Sequence, residues 1–154
     1  MAVNGGDVEV PVWRWLCDAH NPALGVKAAR ERLLPLSNTN TAGTSNASDG
    51  SGGDPRGEPF DAIYSLYKGE GSIETVLAKA AAAGTADATM WGCLYVGLYL
   101  EALGQHKRAR GQFEKAAAAD SHNNIAQLAK THLRMLRQQA AEREWGDIQR
   151  ALKA

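Results

Sequence analysis

Cysteine, aromatic residues and long apolar runs are all scarce in this sequence, and each scarcity excludes a class of protein. Only two cysteines occur, Cys17 and Cys93, which is too few for a disulfide-stabilised secreted scaffold. Aromatic residues make up 6% of the chain, and no run of about 18 apolar residues is present, so we expect no membrane-spanning helix. The N-terminus lacks the basic or Arg/Ser-rich character of a targeting peptide. We therefore expect a soluble intracellular protein, by default cytoplasmic, without excluding an organelle.

The sequence also lacks the motifs that accompany catalysis and cofactor binding. The glycines of residues 50–57 follow no strand pattern and precede no Lys-Ser/Thr pair, so they do not form a phosphate-binding loop. Cys17 and His20 have the spacing of half a zinc site, but no second Cys/His pair completes it. The chain has neither a nucleophile elbow nor a His-Glu-x2-His helix. We therefore predict a protein without enzymatic activity, cofactor or metal.

Neither sign of charge dominates, because 17 basic residues balance 17 acidic ones. The distribution is nevertheless uneven: residues 1–104 hold 7 Lys/Arg and 12 Asp/Glu, a balance of −5, whereas residues 105–154 hold 10 and 5, a balance of +5. Solvated helix faces account for such a pattern, and a basic surface that binds an acidic partner is the alternative. Lys130, Arg134 and Arg137 recur at helical spacing, so the same surface could also contact nucleic acid.

Abundant alanine and the lack of alternating Val/Ile/Thr runs favour helices over strands. Residues 37–58 consist mostly of Ser, Thr, Asn, Gly and Asp, and a stretch of this composition cannot offset its ordering entropy by burying apolar surface. We therefore predict a helical N-terminal segment at residues 1–36, a flexible linker at 37–58 and a helical domain at 59–154. The N-terminal helices are too short to be stable alone, so they either dock on the domain or bind elsewhere.

Capping residues mark several helix ends. Ser72 is a favourable N-cap, and Gly84 is an expected C-terminal stop for the same helix. Asn21 followed by proline predicts the start of a helix that reaches Leu34. In the last helix, Gly146 is expected to cause an interruption.

The stretch 91–120 predicts two helices joined by a tight turn at Gly104. Apolar and small residues recur at helical spacing on both sides of that turn. Gly97 and Ala109 are small enough for the two backbones to approach closely, and Phe113 can fill the space beside them. This pattern is typical of an antiparallel helix pair that stacks on further pairs.

Five positions of this hairpin resemble the signature of the tetratricopeptide repeat family, including its Ala-x3-Phe step. They are Gly97, Gly104, Ala109, Phe113 and Ala116. The resemblance covers one repeat of about 34 residues, from Met90 to Asn123. The residues that differ from the family pattern are Cys93, Val96, Leu100 and Ser121. The resemblance implies an all-α fold in which antiparallel helical hairpins form a short right-handed superhelix, closed by a C-terminal capping helix.

In this family the first helix of a hairpin lines a concave groove that binds peptides, so the resemblance also implies candidate protein-binding residues. They are Trp91, Tyr95 and Leu98, with Lys107, Arg108 and Arg110 as a basic ridge at the rim. If the first three are core residues instead, the preceding helices cover them. We predict a protein-interaction module or assembly scaffold with an unidentified protein partner. Nucleic-acid binding by the basic C-terminal face and a non-catalytic subunit of a larger complex are the alternatives.

Overall fold

The computed structural model describes residues 7–36, 54, 56–119 and 122–153 of the chain. In these ranges it contains seven α-helices and no strand, which confirms the predicted all-α class. The helices are α1 (Glu9–His20), α2 (Gly25–Glu31), α3 (Phe60–Lys68), α4 (Ile73–Ala83), α5 (Ala86–Ala102), α6 (His106–Ala118) and α7 (Ala126–Lys153). None of these helices is long and apolar enough to cross a membrane.

Helix α5 lies at the centre of the fold and is apolar on every side. Every residue from 90 to 100 is buried, and α1, α3, α4 and α6 pack around the helix. Two glycines allow a close approach on two of these sides. A Cβ atom at Gly92 would lie 2.7 Å from the Cβ of Ala80 in α4, and one at Gly97 would lie 2.6 Å from the ring of Phe113 in α6. A helix that is apolar all round requires enclosure of this kind.

Helices α5 and α6 form an antiparallel hairpin around the turn at Gly104. The φ angle of Gly104 is 72°, a left-handed conformation that glycine adopts without steric cost. The N–H of Gln105 donates to the carbonyl of Leu100 (2.8 Å) and closes the turn. The buried residues of α6 are Ala109, Phe113 and Ala116. The turn and the buried face of α6 therefore lie where the residue spacing predicts them.

Helix α1 docks on the rest of the molecule, which decides between the two alternatives for the N-terminal helices. Val8, Val12 and Trp15 are almost completely buried. The ring of Trp15 lies 4.9 Å from that of Tyr67 in α3 and 5.6 Å from that of Tyr99 in α5, measured between centroids. The N-terminal helices and the residues after 59 therefore share one apolar core.

Helix α2 is shorter than the sequence predicts, because it covers Gly25–Glu31 rather than residues 22–34 with Asn21 as the N-cap. Asn21 forms a turn instead of a helix cap. Its side-chain Oδ1 accepts from the N–H of Ala23 (2.9 Å), and its carbonyl accepts from the N–H of Leu24 (3.0 Å). Asparagine often competes with helix formation through such local hydrogen bonds.

The end of the predicted linker is part of the fold. Of residues 37–58, the structure describes 54 and 56–58, and the other positions lie outside the described residues. Asp54 is 4% exposed, and its carboxylate accepts from the N–H of Val8 (3.0 Å). The folded body therefore includes residues before position 59, because a buried carboxylate anchors this segment to the start of α1.

Helix α7 runs without interruption from Ala126 to Lys153, so the expected break at Gly146 is wrong. Glycine inside a helix costs only about 1 kcal/mol relative to alanine. Local contacts such as the hydrogen bond from Gln138 to Glu142 (2.9 Å) help to offset that cost. The first half of α7 packs on α6, whereas every described residue from 137 onwards is exposed or only partly buried.

Candidate interaction surfaces

The predicted apolar groove is filled by the chain's own helices. Trp91, Tyr95 and Leu98 are 9%, 0% and 3% exposed. The ring of Phe60 in α3 lies 5.3 Å from that of Trp91, and the ring of Trp13 in α1 lies 6.2 Å from that of Tyr95. In the described part of the chain these three residues therefore form no exposed groove, and the expectation of a groove open to a peptide requires correction.

Hydrogen bonds add to the apolar packing over α5. The hydroxyl of Tyr95 donates to Oε1 of Glu9 in α1 (2.7 Å), and the hydroxyl of Tyr67 in α3 donates to the carbonyl of Tyr95 (2.8 Å). Burial, together with the hydrogen bond to Glu9 and its charge, raises the pKa of Tyr95 well above the ordinary value of 10.0. Tyr95 therefore stays a hydrogen-bond donor at physiological pH and helps to hold α1 over α5.

A cluster of four charged residues, here called the Arg56 clasp, joins the start of α1 to the segment before α3. It consists of Asp7, Glu9, Asp54 and Arg56. The guanidinium group of Arg56 donates twice to the carboxylate of Asp54 (2.9 and 2.7 Å), once to Glu9 (2.8 Å) and once to Asp7 (3.0 Å). The same group lies 3.7 Å from the centre of the Phe60 ring, a cation–π contact. The clasp therefore links residues that are far apart in the sequence.

The electrostatics of the clasp are those of a structural ion pair. Burial alone would raise the pKa of Asp54, but hydrogen bonds from Arg56 and from the N–H of Val8 outweigh burial and hold the pKa below its ordinary value of 3.8. Asp54 is therefore ionised at neutral pH. No group of three His, Cys, Asp or Glu side chains that could hold a metal ion occurs among the residues that the structure describes. We assign the clasp to fold stability.

A shallow polar depression lies beside α3 and α4, with a volume of about 310 Å³. Its lining includes Asp61, Ser65 and Thr75, and an ion pair between Lys79 and Glu58 (2.6 Å) crosses its edge. The hydroxyl of Ser65 donates to the carbonyl of Asp61 (3.0 Å). The lining contains no histidine, so neither hydroxyl has the adjacent imidazole base that commonly activates a serine or threonine nucleophile.

The basic ridge lies on the outer side of α6. Lys107, Arg108 and Arg110 are all exposed. Arg110 pairs with Glu114 one turn later (3.0 Å), and Glu114 also faces Arg137 of α7 (3.8 Å). Exposed ion pairs of this kind contribute less than about 1 kcal/mol. The ridge is therefore accessible, and its ion pairs contribute little to the stability of the fold.

Three of the five exposed large apolar side chains in the described residues lie on the second half of α7. Trp145, Ile148 and Leu152 are 63%, 44% and 76% exposed. With about 100° of rotation per residue, they fall within an arc of about 60°. This arc is rotated by roughly 120° from the buried face of α7 that packs on α6. Together with the exposed Ala141 on the same arc, the three residues form a surface here called the α7 seam.

The sequence contained a signal for the α7 seam that the prediction did not use. Trp145, Ile148 and Leu152 stand at positions i, i+3 and i+7, which is the spacing of one helix face. The expected break at Gly146 separated Trp145 from the other two. Because the helix continues through Gly146, the three side chains share one face.

No family model, curated protein or solved structure matches this chain. The tetratricopeptide resemblance therefore stays a prediction from the residues of the α5–α6 hairpin. Among the described residues, the α7 seam and the basic ridge are both exposed.

Proposed function

We propose that the protein is a non-catalytic interaction module, or an assembly subunit, that binds a protein partner through the α7 seam. The observation that carries this proposal is the exposure of Trp145, Ile148 and Leu152 on one helix face. Contiguous exposed apolar patches on soluble domains mark interaction sites, whereas scattered apolar residues do not. Tryptophan is also enriched among the residues that dominate binding energy at interfaces.

The energetics favour the α7 seam over the α5 region as the recognition surface. Complete burial of a large apolar side chain contributes about 1.5–3 kcal/mol, so a partner gains stabilisation by covering the seam without any change in the fold. A partner at Tyr95 would first have to displace α1. Removing Val8, Val12 and Trp15 from the core would cost about 5–9 kcal/mol, which is comparable with the whole unfolding free energy of a small domain.

The proposed architecture is tetratricopeptide-like. The α5–α6 hairpin, with its close approach at Gly97, supports it, and so does the packing of the first half of α7 on α6, since a capping helix would pack there. Helix α7 has 28 residues and α6 has 13, so their lengths are about 42 Å and about 20 Å. The second half of α7 therefore extends past α6 and carries the seam away from the body.

A second candidate function is nucleic-acid binding through the exposed basic residues of α6 and α7. The observation in its favour is the exposure of Lys107, Arg108, Lys130 and Arg134. Phosphate contacts release counterions, so this function would show affinity that falls steeply as salt concentration rises. We expect binding of RNA or DNA to be weak and to disappear near physiological ionic strength. Tight binding that persists there would promote this candidate.

Affinity purification from native extract after nuclease treatment tests the proposed function. Trp145→Gln combined with Leu152→Gln should abolish partner capture, because glutamine removes the apolar contacts while keeping good helix propensity. Val10 in α1 is also exposed, at 48%, so Val10→Gln is the matched control and should leave capture unchanged. Capture that survives the seam substitutions, or that the control lowers equally, would contradict the proposal.

A further inference from the structure

We infer that the partner seated on the α7 seam is a second copy of this chain, paired antiparallel through the same helix; this inference rests on the proposed function of the seam. Ala141, Trp145, Ile148 and Leu152 follow one another at steps of four, three and four residues. This is the a/d spacing of a coiled coil. A helix that packs into a globular body needs an apolar stripe about 100° wide or more, whereas a narrower stripe fits one facing helix. The seam, which spans about 60°, is a narrow stripe.

The side chains of the seam complement one another in size when the two helices run antiparallel. If Trp145 faces Ile148 of the second copy, Ala141 faces Leu152 of the second copy, because both pairs are centred between residues 146 and 147. The smallest seam residue then lies opposite a large one. In a parallel pair Trp145 would face its own copy and so would Ala141. One layer would then be overpacked and another would contain a void, and both defects are destabilising.

The charges beside the seam favour the same arrangement. At about 100° per residue, Glu144 lies on one side of the seam and Glu142 on the other. In the antiparallel register, Glu144 lies beside Ala151 of the second copy, and Glu142 lies beside Gln149, so no like charges meet. A register with Trp145 opposite Ala141 would instead bring the two copies of Glu144 together, and such like-charge pairs oppose association.

The same two glutamates argue against a lipid surface as the occupant of the seam. Helices that lie in a membrane interface carry lysine and arginine on their polar face, where these residues attract anionic lipids. Glu142 and Glu144 border the seam on both sides, and with Asp147 they balance the three basic residues of residues 141–153, so this half of the helix has no net positive charge to attract anionic lipids. A helix from a second copy accepts these flanks, since it places the uncharged Ala151 and Gln149 beside the two glutamates.

The α7 seam is short, so the expected pair is weak and reversible. From Ala141 to Leu152 the seam is about 17 Å long. An interface of this length lies below the range of about 1,200–2,000 Å² that is typical of stable complexes. We therefore expect a dimer that forms at micromolar or higher concentration and dissociates on dilution.

Sedimentation equilibrium of the full chain over a wide concentration range tests the self-pairing. We expect a reversible monomer–dimer equilibrium. The Trp145→Gln and Leu152→Gln double variant should raise its dissociation constant by at least about tenfold. Val10→Gln is again the matched control and should not change it, and circular dichroism should show full helix content in both variants. A chain that stays monomeric at every concentration, or a dimer that the seam variant does not weaken, would overturn the inference.

Cysteine cross-linking tests the orientation, in a Cys17→Ser background that removes the exposed native thiol. Antiparallel pairing keeps the two copies of residue 141 about 17 Å apart along the helix axis, beyond the limit of roughly 7 Å between the Cα atoms of a disulfide. Ala141→Cys alone should therefore not cross-link, whereas Ala141→Cys together with Leu152→Cys should. Efficient cross-linking by Ala141→Cys alone would show a parallel pair and overturn the antiparallel arrangement.

Failure of the self-pairing and failure of the proposed function give different results. A monomeric chain whose seam variant still loses a captured protein would overturn self-pairing and leave the proposed function in place. A monomeric chain whose seam variant captures the same proteins as the unsubstituted chain would overturn both.

Discussion

At the scale of single residues, a glycine and a ring set the distance between α5 and α6. Phe113 lies over Gly97 on one side, and on the other its ring is stacked on His132 of α7, with 5.1 Å between centroids. His132 in turn lies 3.2 Å from a carboxylate oxygen of Glu101. The position of Phe113 therefore connects three helices, and it depends on the absence of a side chain at residue 97.

The first expected outcome concerns Gly97. Gly97→Leu should lower the free energy of unfolding by about 1–3 kcal/mol, because the new side chain overpacks the space of the Phe113 ring. Gly111 in α6 is the matched control, since a Cβ there would meet no atom within 4 Å. Gly111→Ala should raise stability by up to about 1 kcal/mol through helix propensity. Urea unfolding measures both, and equal effects at the two glycines would contradict the close approach.

The second expected outcome concerns Asp54 and pH. Its pKa is lower in the folded chain than its ordinary value of 3.8, so the unfolded chain binds the proton more tightly. The stabilisation is therefore complete above that ordinary pKa and is lost as the pH falls through the lower, folded pKa. Asp54→Asn should cost about 1–3 kcal/mol at neutral pH and should weaken the loss of stability below about pH 4. Urea unfolding at several pH values checks this, and an unchanged acid profile in the variant would argue against the clasp.

At the scale of helices, the continuity of α7 decides whether the seam exists. A Cβ at Gly146 would meet only the guanidinium group of Arg150, at 3.9 Å. Gly146→Ala should therefore stabilise the second half of α7 by about 1 kcal/mol. Amide hydrogen exchange measures this, and we expect slower exchange after residue 140 in the variant than in the unsubstituted chain. Faster exchange, or a loss of helical circular dichroism, would indicate a chain that bends at Gly146.

Helix boundaries could be predicted where the signals are local. Ser72 accepts from the N–H of Thr75 (3.1 Å) at the start of α4, and Gly84 ends that helix with a φ of 69°. The predictions at Asn21 and Gly146 were wrong. At each of these residues the free energies of the helical and the non-helical conformation differ by only about 1 kcal/mol, so the residue type alone does not decide between them. For α5 the sequence showed an apolar helix, but a helix buried on all sides has no polar face to indicate which neighbour covers which residue.

At the scale of the whole molecule, the N-terminal helices complete the core and also fill the place where a groove was expected. Composition could not show this, because the contacts join distant parts of the chain. Asp54 binds the N–H of Val8 across 46 residues, and Tyr95 binds Glu9 across 86. The candidate groove residues were therefore identifiable as apolar, but their burial depended on contacts that no local pattern records.

Truncation tests this shared core. A chain that begins at residue 59 lacks α1 and the Arg56 clasp and would expose Tyr67, Tyr95 and Tyr99. We expect it to lose the cooperative unfolding transition of the full chain, because the missing side chains contribute several kcal/mol of burial. Circular dichroism against urea concentration is the measurement. A truncated chain that unfolds with the same midpoint would show that residues 59–154 form an independent domain.

The most direct test of whether the chain's own helices fill the α5 region compares two leucines, one in α5 and one in α7. Leu98 is 3% exposed in α5, and Leu152 is 76% exposed in α7. At a concentration low enough to keep the chain monomeric, Leu98→Ala should lower the free energy of unfolding by about 2–5 kcal/mol, whereas Leu152→Ala should change it by less than about 0.5 kcal/mol. Small and equal losses would contradict a filled α5 region, because Leu98 would then belong to an open surface as Leu152 does.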